Sequence, residues 1–188
     1  MKLPVYLYGH PVLRKESADL EADYPDLKKL IEDMYETMYG SEGVGLAAPQ
    51  IGHNIRLVVI DADPVAETFP ECAGRRMTLI NPEIDVLDGE KVSRPEGCLS
   101  VPGLSENVSR VEHIRLNWLD ENFEEHEEEI SGFLARIVQH EYDHLDGVIF
   151  TDRLSPIRKQ LIKTKLHNIV AGRTRPDYPA KYAPKKHK

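Results

Sequence analysis

The sequence predicts one domain of mixed α-helix and antiparallel β-strand, and three observations lead to that expectation. Three stretches, near residues 27–38, 133–145 and 157–170, repeat apolar residues at helical spacing. Between the first two, apolar residues come in short β-branched runs or alternate with polar ones, the pattern of strands with one face covered. The chain has 188 residues, no internal repeat and no long linker, a length suited to one core.

Taken in order, Leu27, Leu30, Ile31, Met34 and Met38 give the first helix after an Asp- and Pro-rich start. Residues 40–52 break that pattern with Gly40, Gly43, Gly45, Pro49 and Gly52. Residues 55–60 read as a strand, and 61–76, with Pro64, Pro70 and Gly74, as a loop. A strand over 77–80 ends at Asn81-Pro82 and resumes over 84–87. Residues 106–120 alternate through Val108, Arg110, Ile114, Leu116 and Trp118 and predict long antiparallel strands. The short acidic run at 124–130 reads as an edge strand. The central helix starts after Ser131 as N-cap and stops at Gly147. Ser155-Pro156, an N-cap followed by proline at the first helical position, opens the last helix. Its Ile157, Leu161, Leu166, Ile169 and Val170 are expected to face inward, and the tail after Arg173, with three prolines, to be loosely ordered.

Charge is distributed unevenly. Residues 156–188 hold ten Lys or Arg against one acid, Asp177, a net +9; the rest holds fourteen basic and thirty-one acidic residues, a net −17. A basic C-terminal end can be a solvated helix or an anchor to a polyanion such as RNA. No stretch nears the ~20 apolar residues of a membrane span, and the first residues lack the apolar run of a signal peptide. With Cys72 and Cys98 as the only cysteines, a disulfide framework is not expected and a reducing, cytoplasmic setting is.

The chemistry concentrates in Gln139-His140-Glu141-Tyr142-Asp143-His144, an H-E-x-x-H motif inside a helical run. Histidines four apart lie about 40° apart around a helix, so both can hold one metal ion. Glu141 sits about 60° further round, within reach of a water on that ion. The alternative is a structural histidine pair satisfied by hydrogen bonds, but two buried histidines and a buried glutamate all need partners. Most peptidases with this motif take a third ligand downstream. Here no glutamate follows Glu141, Phe150 occupies the extended-motif position, and His167 and His187 fit no known spacing. The ligand is expected upstream, at Cys98, where a thiolate would complete a Cys/His/His site with room for water.

Three segments together resemble the bacterial-type peptide deformylases: Gly43-Val44-Gly45-Leu46-Ala47-Ala48-Pro49-Gln50, Glu96-Gly97-Cys98-Leu99-Ser100, and Gln139-His140-Glu141-Tyr142-Asp143-His144-Leu145-Asp146-Gly147. Gly9-His10-Pro11-Val12-Leu13-Arg14 is similar to the family's start, and the resemblance runs to about residue 155. It implies an α+β fold, with antiparallel β-sheets packed around a central metal-binding helix and a C-terminal helix. It sets residues 1–155 as the catalytic domain and 156–188 as the C-terminal helix and basic tail of the same domain. The implied activity is removal of the formyl group from N-formylmethionyl nascent peptides, and a monomer is expected. Cys98, His140 and His144 would hold one divalent metal, Fe2+ first and Zn2+, Ni2+ or Co2+ as substitutes. Glu141 would be general base and proton shuttle, with Gln50 and the Leu99 N–H on the oxyanion. Val44, Gly45 and Arg110 would contact the peptide, and Phe133 and Ile137 would line the methionine pocket. Arg94 and Arg136 depart from the family's pattern at that pocket. A zinc endopeptidase and a non-catalytic metal protein are the competing readings; the missing downstream ligand counts against the first, and intact Glu141 and Gln50 against the second. With such a substrate, the basic C-terminal helix suggests docking on the ribosome.

Overall fold

Residues 1–184 are described by the structure, a computed structural model. Strand β1 (Val5–Tyr6) leads through a 3-10 turn (Pro11–Arg14) to helix α1 (Leu27–Tyr39). Strands β2 (Gly45–Ala47), β3 (Leu57–Asp61), β4 (Arg76–Val86), β5 (Lys91–Cys98), β6 (Val101–Val111), β7 (His113–Leu119) and β8 (Glu125–Ser131) follow. Helix α2 (Gly132–Leu145), helix α3 (Pro156–Val170) and strand β9 (Ala180–Lys181) complete the described chain.

Five strands form an antiparallel sheet in the order β2-β3-β4-β7-β8. Strands β5 and β6 form an antiparallel hairpin, while β1 and β9 pair in parallel. The alternation of side chains along a strand explains why the large sheet carries helices on both faces. Val58 and Ile60 of β3 join Leu134, Ala135 and Val138 of α2 in one core. Leu57 and Val59 turn the other way, onto Leu30, Ile31, Met34 and Met38 of α1. A third cluster joins both chain ends to β6: Val5, Leu7, Val101, Leu104 and Val108 pack with Phe150, Ile162 and Ile169.

The expected α+β architecture with antiparallel sheets is the one observed, and β8 is an edge strand as expected. Four local expectations change. Strand β4 does not stop at Asn81-Pro82; it absorbs them in a register shift between Ile80 and Glu83, where Asn81 takes φ 47°. Asparagine tolerates that left-handed conformation, and proline is admissible at a bulge. Ser131 has the extended backbone of an N-cap but makes no side-chain cap bond; instead the Phe133 N–H donates to Glu71 Oε1 at 2.7 Å, from the loop between β3 and β4. Helix α3 buries Ile162 and Ile169, whereas Ile157 and Leu161 are 75% and 65% exposed. The segment after Arg173 is ordered through Pro184: β9 pairs with β1, and the Tyr182 hydroxyl donates to the Thr174 carbonyl at 2.9 Å. His187 lies outside the described residues.

Candidate metal centre

Helix α2 enters the core with its middle turns fully enclosed, and that path carries His140, Glu141 and His144 inward. Cys98 arrives from the end of β5, where the hairpin register with β6 shifts between Gly97 and Cys98. The break turns the thiol out of the ladder and toward the helix. One donor atom from each of Cys98, His140 and His144 lies within 4.8 Å of the other two. Cys98 Sγ is 3.3 Å from His144 Nε2.

The surrounding groups fit a metal. Glu141 Oε2 and His144 Nδ1 are buried without a hydrogen-bond partner among the described residues, an arrangement that costs free energy unless something charged or polar is supplied. A thiolate with two imidazoles suits a borderline-soft divalent ion and leaves a position open. Burial, reinforced by the neighbouring His140, holds the His144 imidazole in its neutral form, which is the ligating one. Burial also lifts the Glu141 carboxyl to about 7, the range of a group that both takes and returns a proton near neutral pH.

A buried charge network fixes the site from behind. Burial alone would raise the Glu96 carboxyl, but hydrogen bonds from His140 and Arg110 outweigh it and hold it at about 2. Glu96 accepts from His140 Nδ1 at 3.1 Å, from Arg110 Nε at 2.6 Å and Nη2 at 3.0 Å, and from Arg136 Nη1 at 3.1 Å. Such a carboxylate fixes the ring and tautomer of a histidine that ligates through its other nitrogen. Arg110 also pairs with Asp143 at 3.0 Å, and Arg153 forks onto Asp143.

Gln50 follows from Gly45-Leu46-Ala47, the short edge strand β2, through a 3-10 turn over Ala48–Ile51. Its Oε1 accepts from the Ala47 N–H at 2.9 Å, which aims its amide nitrogen at the site. That nitrogen lies 3.3 Å from Cys98 Sγ and donates to Ser100 Oγ at 3.2 Å. Gly45 lies against Glu141, so that a Cβ there would stand 2.5 Å from Glu141 Oε1. Only glycine lets the strand pass so close to the carboxylate.

These groups stand in a cleft of about 920 Å³ that Val44, Gly45, Gln50, Cys98, Leu99, Phe133, Ile137, His140 and Glu141 help to line. Phe133 stacks on Phe69 with ring centroids 3.9 Å apart. Arg110, expected to meet a peptide, does not reach the cleft. It is 4% exposed, because its guanidinium is consumed by Glu96 and Asp143. Arg136 helps to line the cleft but is only 1% exposed, its guanidinium donating to Glu96, Glu112 and the Val92 and Val108 carbonyls. Arg94 pairs with the same Glu112. Residues 174–178 form one side of the cleft, which nothing in the motifs signals.

A site of this kind, one metal's worth of ligands with a proton-accepting carboxylate and an amide donor beside them in a peptide-sized cleft, belongs to the metal-dependent hydrolases. The comparisons with known proteins narrow the class. The family model for polypeptide deformylase matches residues 2–160. The peptide deformylase of Flavobacterium psychrophilum is 47% identical, over 99% of this chain and 100% of its own length. That of Salinibacter ruber is 45% identical, over 95% and 94%. The crystal structure of peptide deformylase from Thermus thermophilus superposes with a TM-score of 0.76 at 42% identity, covering 88% of this chain and 96% of that one. The chain belongs to the polypeptide deformylase family.

Proposed function

We propose that the protein removes the N-formyl group from the formylmethionine at the start of nascent polypeptides, releasing formate. The observation that carries this reading is the convergence of Cys98, His140 and His144 beside Glu141 and Gln50, in a chain of this family.

Cys98, His140 and His144 would hold the ion, with Fe2+ the expected occupant and Zn2+, Ni2+ or Co2+ acceptable to the same donors. When bound, such an ion lowers the pKa of a water to ~7 and draws electron density from the formyl carbonyl. Glu141 takes the proton of the attacking water and returns it to the departing amine, two roles its carboxyl near 7 suits. The Gln50 amide and the Leu99 N–H donate to the oxygen on which negative charge grows. One such donor contributes on the order of 10²–10³ in rate. Val44 and Gly45 run beside the peptide backbone, and Phe133 and Ile137 line the methionine pocket. Arg110 supports this arrangement through Glu96 and Asp143 in place of the peptide contact expected of it.

Formate release from a formyl-methionyl peptide, with iron-loaded protein prepared anaerobically, tests the reading. The expected result is formate from that peptide and none from its acetylated counterpart. Glu141→Gln should lower kcat by roughly 10²–10⁴ while keeping the metal. Metal-loaded protein that releases no formate, or a fully active Glu141→Gln, would overturn it.

Residues 1–155 are proposed as the catalytic unit, with 156–188 a further part of the same domain. Among the described residues no helix is long and apolar enough to cross a membrane, and the setting proposed is a cytoplasmic monomer. The ribosome is the proposed partner of α3, on which Lys159, Lys163 and Lys165 are exposed. Replacing the three lysines by glutamate should weaken co-sedimentation with ribosomes without altering formate release. Equal co-sedimentation would exclude this partner surface.

A further inference from the structure

The turn that carries Leu99 is held from outside the hairpin to which it belongs. The Tyr178 hydroxyl donates to the Leu99 carbonyl at 2.6 Å, and the Tyr8 N–H donates to the Ser100 carbonyl at 2.7 Å. Gln50 reaches Ser100 Oγ from a third side. The two tyrosines come from opposite chain ends, and those ends are themselves joined: the Val5 N–H donates to the Pro179 carbonyl at 2.8 Å and the Leu7 N–H to the Lys181 carbonyl at 2.9 Å. Tyr178, Cys98 and Leu99 all pack against the third core cluster, and residues 174–178 wall the cleft that Cys98 and Leu99 also line.

We infer that Tyr178 is a positioning residue for the deformylation site, holding the Leu99–Ser100 turn so that the Leu99 N–H stays aimed at the substrate oxygen. This rests on the role proposed above for that N–H. A peptide group is planar, so fixing the Leu99 carbonyl fixes the 99–100 plane, and only φ and ψ of Leu99 remain to orient the preceding N–H. Cys98 anchors the other side of those two torsions once its thiolate is a ligand. An oxyanion donor accelerates the reaction only if it is already oriented when charge develops. Releasing the carbonyl therefore weakens the transition state more than the bound substrate, a loss that falls on kcat.

The experiment compares wild type, Tyr178→Phe and Tyr182→Phe as full-length, metal-loaded proteins, with formyl-Met-Ala-Ser as substrate. Tyr182→Phe also removes a hydrogen bond from the C-terminal segment, but one that does not touch Leu99. For Tyr178→Phe the expected result is a roughly tenfold fall in kcat per bound metal, with KM within about twofold and an unchanged melting temperature. Tyr182→Phe should keep kcat within about twofold. The inference is overturned by an unchanged kcat in Tyr178→Phe, by a loss confined to KM, by a loss that vanishes when rates are expressed per bound metal, or by an equal loss in Tyr182→Phe. An inactive, metal-loaded wild type would overturn the deformylase reading itself, and so the two failures are told apart.

Discussion

At the scale of single residues, the candidate ligands His140 and His144 and the adjacent Glu141 were legible because the chemistry dictates their spacing: two histidines on one helical turn can be recognised without any fold, whereas Cys98 was reached only by elimination. What supports them was not legible. Glu96 stands beside Cys98 in the sequence, yet its partners Arg110, Arg136 and His140 come from another strand and from α2. Charge alone gives no sign that an arginine on a strand or helix will be buried; only the tertiary pairing does. The contrast at Arg136 can be tested. As a sequence it stands among the residues of the methionine pocket, whereas the folded chain spends its guanidinium on two carboxylates and two backbone carbonyls. Arg136→Met leaves those acceptors short of donors in a buried place, which costs about 3–5 kcal/mol, or roughly 6–20 °C in melting temperature for a chain of this size. KM for a formyl-methionyl peptide should change by less than about threefold, because the guanidinium, though at the cleft wall, is bonded to those acceptors and 1% exposed. An unaltered melting temperature with a tenfold shift in KM would make Arg136 a substrate contact instead of a scaffold.

At the scale of elements, period and punctuation marked the three helices, strands β3, β4, β7 and β8 and the later part of β6, but not β1, β2, β5 or β9, and they could not choose between two faces. In α3 the apolar residues form two stripes: Ile157 and Leu161 on one, and Ile162, Leu166 and Ile169 roughly 120° away. Periodicity reports that a stripe exists, but which stripe is covered depends on where the rest of the chain lies. Only the second meets the cluster of β1, β6 and the 3-10 turn at Phe150–Arg153. The same limit explains the cap of α2. Ser131 is the right residue in the right place, but the orphan N–H is met by Glu71, some sixty positions earlier. The two stripes of α3 predict opposite outcomes for neighbouring residues. Ile162→Ala should cost about 2–4 kcal/mol, while Leu161→Ala should stay within about 0.5 kcal/mol. Chemical denaturation of the two variants decides it: equal losses would mean that both stripes are covered in solution.

At the scale of the whole molecule, the deformylase motifs end before α3, and the resemblance left residues 156–188 without a structural duty. The described part of that segment does more than follow the catalytic unit. Ile162 and Ile169 close a cluster that also holds Val5, Leu7 and Leu13 from the other chain end and Val101, Leu104 and Val108 from β6. Strand β9 supplies the only partner strand of β1 among the described residues. Since β6 runs directly on from the Cys98 turn, support for the two chain ends is also support for one side of the metal centre. Removing residues 156–188 uncovers this cluster. Two isoleucines at about 1.5–3 kcal/mol each give 3–6 kcal/mol before any loss from the β1–β9 pair. At roughly 2–4 °C per kcal/mol, the 1–155 chain should melt at least about 6 °C below the full chain, and by more if β1 detaches. Circular dichroism melts of both chains in the metal-loaded form supply the measurement. A 1–155 chain melting within a degree or two of the full one, with equal formate release, would make α3 and β9 appendages to a self-sufficient domain. A lowered melting point with loss of formate release would place both chain ends among the elements that hold the Cys98–Leu99 turn in its working position.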